Sequence, residues 1–244
     1  MAFVAHHMQV QVHQHTCYQV LVGLDEPFAS TIDDVVHANT YGLIMNREVP
    51  HACRAVEGSA LVYFVDPHSE VGDRVKQVVG DARFVRFNPR LFFDTESVPT
   101  AKNADPQQWR VFADHLLGAL TAAHTHGAPS YRDPRMMRAV QYVESHLGDS
   151  LLVRHVAEHV GLSPERTRHL FAQEIGSPLS QFVRWTRIKQ CVRWIVRDQL
   201  SLSVAAARAG FSDQAHFCRT FKRTFGVSAS GLLKNSRFVQ FIHP

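Results

Sequence analysis

The sequence predicts a two-domain α+β chain: an N-terminal antiparallel β-barrel, then an all-α domain in which a long helix joins two helix-turn-helix units. Three observations lead there. The first part of the chain holds short β-type runs punctuated by Gly23, Pro27, Gly42, Pro50, Gly58 and Pro67. The last part shows apolar residues at helical spacing, with one helix-turn-helix grammar written twice. Charge divides along the same line: residues 1–130 carry 9 Lys and Arg against 14 Asp and Glu (net −5), whereas residues 131–244 carry 17 against 8 (net +9). A basic half is the electrostatic footprint of a surface that meets a polyanion.

In the N-terminal region, Met8–Val12, Tyr18–Leu24 and Ala60–Val65 read most clearly as strands, followed by Phe28–Ile32 and Tyr41–Met45. An antiparallel barrel or sandwich buries such strands without leaving edges. Val71–Val79 has the pattern of a short helix, and Phe84–Phe87 and Leu91–Phe93 are apolar segments that return to the barrel or cover it. Histidines are dense: His6, His7, His13, His15, His37, His51 and His68. His13 and His15 share a face if their segment is a strand. His6 and His7 are adjacent, so a strand would point them to opposite faces.

His13, His15 and the later His51 resemble the metal-binding half-motifs of cupin barrels, with Gln19 where those barrels carry a glutamate. The resemblance implies a cupin-like sensor barrel over residues 1–98 and a divalent ion (zinc, nickel, iron or manganese) on His13, His15 and His51. An amide oxygen is a poorer ligand than a carboxylate for a hard or borderline ion. Three readings therefore stand: a metal site, an effector pocket touched by Tyr18, Gln19 and Tyr63, or histidines serving turns and core hydrogen bonds.

Residues 99–130 form the connecting region. After a loop at Pro99–Pro106, the stripe Trp109, Phe112, Leu116, Leu117 and Leu120 marks a helix. It either packs on its own barrel or pairs with a second copy. Gly127–Asp133 reads as a linker, and Pro134 opens the next helix.

The helical region, residues 131–244, is organised around Ser201–Ala229. Ser201 caps a helix with Leu202, Ala205, Ala206 and Ala209 inward, small enough for a second helix to cross closely. Gly210 suits a left-handed exit. Ser212 is placed to cap the helix of Phe217, Phe221 and Phe225. Between Val153 and Gly176 the pattern recurs: Ala157, Gly161 and Ser163 precede Ala206, Gly210 and Ser212 by 49 residues, while Phe171 and Gly176 precede Phe221 and Gly226 by 50. The spacing assigns the extra residue to the second reading helix. Leu152 stands at the first unit's cap position, and Thr167 where a large apolar residue would pack. Pro178–Arg197 reads as one long helix between the units.

Ala206, Gly210-Phe211-Ser212, Phe217, Arg219, Phe221-Lys222-Arg223 and Gly226, with Gly176, Phe182, Trp185, Arg187-Ile188 and Cys191 before them, resemble the DNA-binding domain of the AraC/XylS family of bacterial transcription regulators. Ala229 and Gly231 depart from the family's proline and aromatic residue. The resemblance implies an effector-responsive regulator, commonly an activator, acting as a homodimer on double-stranded DNA with RNA polymerase as partner. A recognition helix offers exposed residues to base edges in the major groove. Those residues are Glu165, Arg168 and His169 in the first helix and Gln214, Cys218 and Arg219 in the second. Glu165 either accepts from cytosine or serves the helix start, and Cys218 either touches a base or packs. Ser163, Ser212, Lys222 and Arg223 are placed for phosphate.

Several classes are disfavoured. No run reaches the ~18 apolar residues of a membrane span. The N-terminus has no secretory pattern, and Cys17, Cys53, Cys191 and Cys218 are scattered, as suits reduced thiols in the cytoplasm. The rival readings are a cupin-type metal-dependent enzyme and a ligand-free architectural or antagonist DNA-binding protein. Gln19 and the lack of a nucleophile-base arrangement weigh against the enzyme.

Overall fold

In the computed structural model, residues 1–93, 98–99, 105–122, 133–233 and 239–243 are described. The expected loop at Pro99–Pro106 and linker at Gly127–Asp133 lie largely outside them. The chain divides into two compact units, residues 1–127 with 220–244 and residues 128–219.

The first unit is a curled antiparallel sheet. Its strands are β1 (Ala2–His13), β2 (Tyr18–Gly23), β3 (Phe28–Ile32), β4 (Val35–Thr40), β5 (Gly42–Met45), β6 (His51–Val65), β7 (Phe84–Phe87) and β8 (Val239–His243). The hydrogen-bonded order is β4-β3-β6-β2-β5-β7, with β1 on β6 and β8 on β1. The two ends of that order approach each other: the His37 and Phe84 rings lie 4.8 Å apart, and Arg86 Nη2 donates to the Asn39 carbonyl at 3.4 Å. The result is a near-barrel, as the strand pattern predicts.

Long β6 organises it. One edge pairs with β1, and the other pairs with β3 at its start and β2 at its end. Gly58 does not break this strand. It sits where the β1–β6 register shifts between His6↔Ser59 and Met8↔Ala55, so the glycine marks a bulge. The β4 strand was not expected, because Val35 and Val36 are exposed (56% and 64%) and the segment lacks an inward row. Leu91–Phe93 does not return as a strand. Pro89–Leu91 is a 3-10 turn with Leu91 exposed, and Phe92 and Phe93 pack against the core.

Two helices cover one sheet face. In α1 (Glu70–Val79) the N-cap Ser69 accepts from the Gly72 N–H. In α2 (Pro106–Thr121) Asp105 and Gln108 form a capping box. The stripe Trp109, Phe112, Leu116, Leu117 and Leu120 is buried in one cluster with Val4, Val20, Val22, Ile44 and Leu61. Its own sheet covers it, so a dimer contact through α2 is left to other faces such as that of exposed Val111.

The helical region comprises α3 (Pro134–Ser145), α4 (Val153–Val160), α5 (Pro164–Ile175), α6 (Leu179–Val196), α7 (Leu202–Arg208), α8 (Gln214–Phe225) and α9 (Ala229–Leu233). The first helix-turn-helix closes over Met136, Val140, Val143, Val156, Val160, Leu170, Phe171 and Phe182. Buried Thr167 fits its position by bonding the Ser163 carbonyl at 2.9 Å. In the second, the small alanines do bring helices close: Cys191 Sγ on α6 donates to the Ala205 carbonyl at 3.3 Å. Gly210 has φ +79°, and a Cβ there would lie 2.4 Å from the Leu147 oxygen, so only glycine fits this turn.

The extra residue of the second unit lies in the turn, not in the helix. Both α5 and α8 are 12 residues long. Helix α5 starts one residue after Ser163 and α8 two after Ser212, with Asp213 inserted.

Candidate nucleic-acid interface and histidine cluster

Helix α5 buries Thr167, Leu170, Phe171 and Ile175, which leaves Glu165, Arg168 and His169 exposed. These three are brought together: Arg168 Nη1 lies 3.3 Å from Glu165 Oε2, and His169 Nε2 lies 2.9 Å from Glu165 Oε1. Such exposed helical pairs are worth about 0.3–0.5 kcal/mol. A good bidentate base contact is worth about 1–3 kcal/mol, so the cluster can be opened by DNA at small cost. Ser163 caps α5, its hydroxyl accepting from the Arg166 N–H at 3.2 Å. Pro164 has no N–H to offer, and the Thr167 N–H bonds the Ser163 carbonyl at 2.9 Å.

Helix α8 buries Phe217, Phe221 and Phe225 and exposes Gln214, Arg219, Lys222 and Arg223, with Cys218 half-buried between them. Its cap differs from expectation. The His216 N–H donates to Asp213 Oδ1 at 2.6 Å, while the Ser212 hydroxyl bonds Asp213 and His216 side chains. Asp213 is therefore the capping residue and Ser212 buttresses it. The bond from the His216 backbone holds the Asp213 carboxyl below the usual carboxylate range. A charged cap at this end complements the helix dipole but opposes an incoming phosphate. Lys222 also borders an open groove of about 510 Å³ whose facing wall is His6, His7, Gln9 and Gln11 of β1.

Inside the near-barrel, β1 ends at His13 directly opposite His51 at the start of β6. His15 lies just before β2. Gln19, the second residue of β2, reaches both: its Oε1 is 3.1 Å from His15 Nε2 and 2.7 Å from His51 Nε2. All four side chains are buried. One ring nitrogen from each histidine falls within 4.8 Å of the others.

The proton positions follow from the other side of each ring. His13 Nδ1 faces the Gln11 carbonyl at 2.9 Å, His15 Nδ1 that of Cys17 at 3.0 Å, and His51 Nδ1 that of Val49 at 2.8 Å. A carbonyl only accepts, so each Nδ1 carries the proton and each Nε2 a lone pair. Protonating Nε2 as well is disfavoured, because burial lowers the His13 pKa to about 4 and that of His51 to about 2, and lowers His15 too. With the Gln19 oxygen toward them the His15 and His51 lone pairs have no hydrogen between, whereas the amide turned over donates one N–H to each. A cation satisfies all of these donors at once. Ligating histidines characteristically donate their second N–H to a backbone carbonyl, which is the arrangement present. The residues fit a divalent metal ion, with an all-neutral donor set.

The residues named for an effector do not share one surface. Tyr18 and Tyr63 belong to the sheet face that packs against α2, where Tyr63 bonds Asp114 and Tyr18 stacks with Arg47. Gln19 points through the opposite face to the histidines, as strand alternation requires.

Comparison with known proteins places this geometry. Residues 156–235 match the family model described as a helix-turn-helix domain. Over 99 residues the chain is 36% identical to the arabinose operon regulatory protein of Escherichia coli, covering 40% of this chain and 34% of that one. The chain's helical region thus carries a helix-turn-helix domain and is similar in sequence to part of that regulator. Regulatory protein PocR of Salmonella typhimurium is 31% identical to it over 107 residues, 44% of this chain and 35% of that one. Over these spans the helical region is similar in sequence to bacterial regulatory proteins. The chain spans about a third of the length of these curated relatives. The fold is similar to that of ToxT from Vibrio cholerae, with a TM-score of 0.59 over 95% of both chains at 9% identity. Among the described residues, no helix is long and apolar enough to cross a membrane.

Two contributors to these sites escape sequence reasoning. Asp213 of the helix-turn-helix domain looks like one more polar turn residue until the length of α8 is known. The carbonyls of Gln11, Cys17 and Val49, which set the histidine tautomers, have no side-chain signature. Their only trace is that each lies two residues from its histidine.

Proposed function

We propose that this protein is a sequence-specific, effector-responsive transcription regulator that reads DNA with both α5 and α8. The observation that carries the reading is the pair of outward-facing rows, exposed but for half-buried Cys218, on helices whose other faces are buried. Glu165, Arg168 and His169 form one row, and Gln214, Cys218 and Arg219 the other. Arg pairs bidentately with guanine and Gln with adenine. Lys222, Arg223 and the start of α5 at Ser163 take phosphates, while the charged Asp213 cap turns phosphate away from Ser212 at the start of α8. For function we divide the chain into a sensor barrel (1–98), a connecting region (99–130) and a DNA-binding domain (131–244). The protein acts in the cytoplasm as a homodimer and activates by engaging RNA polymerase, in keeping with the outcome common in its family.

The effector signal enters the near-barrel. The site best prepared for it is His13, His15, His51 and Gln19, which takes a divalent cation. Imidazole suits zinc, nickel and iron, while manganese favours carboxylates, so the neutral set ranks the first three above manganese. Tyr18 and Tyr63 serve any organic effector only by way of the α2 face.

Competition binding on cognate and scrambled duplexes, at several salt concentrations, tests the DNA reading. Arg219→Ala is expected to cost about 1–3 kcal/mol on the cognate duplex and to relax preference at one base pair. Lys222→Ala is expected to weaken both duplexes alike and to lower the salt slope by about one phosphate. Equal losses on both duplexes for Arg219→Ala would remove its base-reading role.

A further inference from the structure

We propose that the histidine cluster and the turn that ends α8 form one latch, set by the cation the cluster holds. This rests on the cation reading above and adds what the filled cluster does. Gln11 is the shared part. Its carbonyl accepts the Nδ1–H of His13 at 2.9 Å and so aims that ring. Its own N–H donates to the Gly226 carbonyl at 3.2 Å. Gln11 has this N–H to give because it sits in the register shift between Val10 and His13, with no β6 residue opposite it.

The turn lies hard against that peptide. Gly226 leaves α8 at φ +69°, and a Cβ there would lie 2.3 Å from the Gln11 oxygen and 2.9 Å from His13 Nδ1. A second connection runs through aromatic rings. His15 meets Phe64 edge-on at 5.2 Å, Phe64 meets Phe225 at 5.1 Å, and Phe225 packs on Phe221 at 4.6 Å. Both connections end on the last turn of the helix that carries Gln214 and Arg219.

Coordination restricts the direction of each imidazole and strengthens its bond to the carbonyl behind it. With the cluster filled, the His13 ring is held, the Gln11 peptide is held by the ring, and the Gly226 turn is held by the peptide. With the cluster empty, that restriction on the His13 ring is lost and the Gly226 turn is held less tightly. The cation thus binds the latched arrangement better than the released one, which is the differential affinity that any switch needs.

Hydrogen exchange of the full chain, stripped with chelator and then titrated with zinc chloride, tests the latch. At zinc about 100 times its Kd, any opening that must first empty the cluster slows about 100-fold. The expected result is parallel slowing in peptides covering 10–19, 48–53 and 220–228, with 164–175 unchanged. Magnesium, poorly suited to imidazole ligands, should slow none of them, and His51→Ala should abolish the zinc effect. Slowing at 10–19 and 48–53 without 220–228 would overturn the latch and leave the cation reading standing. Slowing everywhere, 164–175 included, would mean general stabilisation and would also overturn it. No zinc response in the wild-type chain would overturn both readings.

Discussion

Gln19 decides the chemistry of the cluster because an amide brings an oxygen without a charge. A carboxylate there would attract a divalent ion by Coulomb energy as well. Gln19→Glu is accordingly expected to raise zinc affinity by about tenfold or more and to admit manganese, as read by chelator competition. The histidines themselves make the metal-free chain sensitive to acid. Their folded pKa values lie below the ordinary 6.5, so the unfolded chain takes up protons first. Their contribution to stability is complete above pH 6.5 and is lost as the pH falls toward about 4, the folded value for His13. The loss is on the order of 1 kcal/mol per titrating histidine per pH unit. Urea melts of the chelated protein at pH 7 and pH 5 should show it, and His51→Ala should flatten it. Thiols differ in the same local way. Burial pushes Cys53 and Cys191 up to about 12, and Cys17 is also buried, whereas Cys218 is half-buried on the face of α8 that carries Gln214 and Arg219. A maleimide at neutral pH should label Cys218 first, and cognate DNA should protect it. Unchanged labelling with DNA bound would take Cys218 off the interface.

At the scale of elements, the two reading helices show how one grammar tolerates different wording. Helix α5 starts on Ser163 with proline behind the cap; α8 starts on Asp213, inserted after Ser212. Asp213→Ala should lower stability, measured by denaturation, because the His216 N–H loses its cap. Helix α2 was legible as a stripe but not as to partner. Periodicity says that a face is buried; it cannot say against what. The sheet supplies the answer by presenting Val4, Val20, Val22 and Ile44 to Trp109 and its neighbours. Trp109→Ala should destabilise the first unit by about 3–5 kcal/mol. Loss of dimerisation without loss of stability would instead mean that the stripe faces a second copy.

Across the whole molecule, what was legible follows sequence separation. The helix-turn-helix units were readable because caps, glycine exits and apolar periodicity act within a few residues. The charge division needed no structure at all. Strand existence was partly readable, but β4 and β8 were missed, and Gly58 was mistaken for a break. A bulge is defined by what the partner strand does. The sequence by itself determined a two-part chain with paired reading helices and a histidine-rich barrel, since those features are written in local pattern and composition. Tertiary structure alone decided that His13, His15, His51 and Gln19 converge, that Tyr18 and Tyr63 face the other way, and that Gln11 ties His13 to Gly226. Those facts depend on strand register, which a single residue's slip would invert.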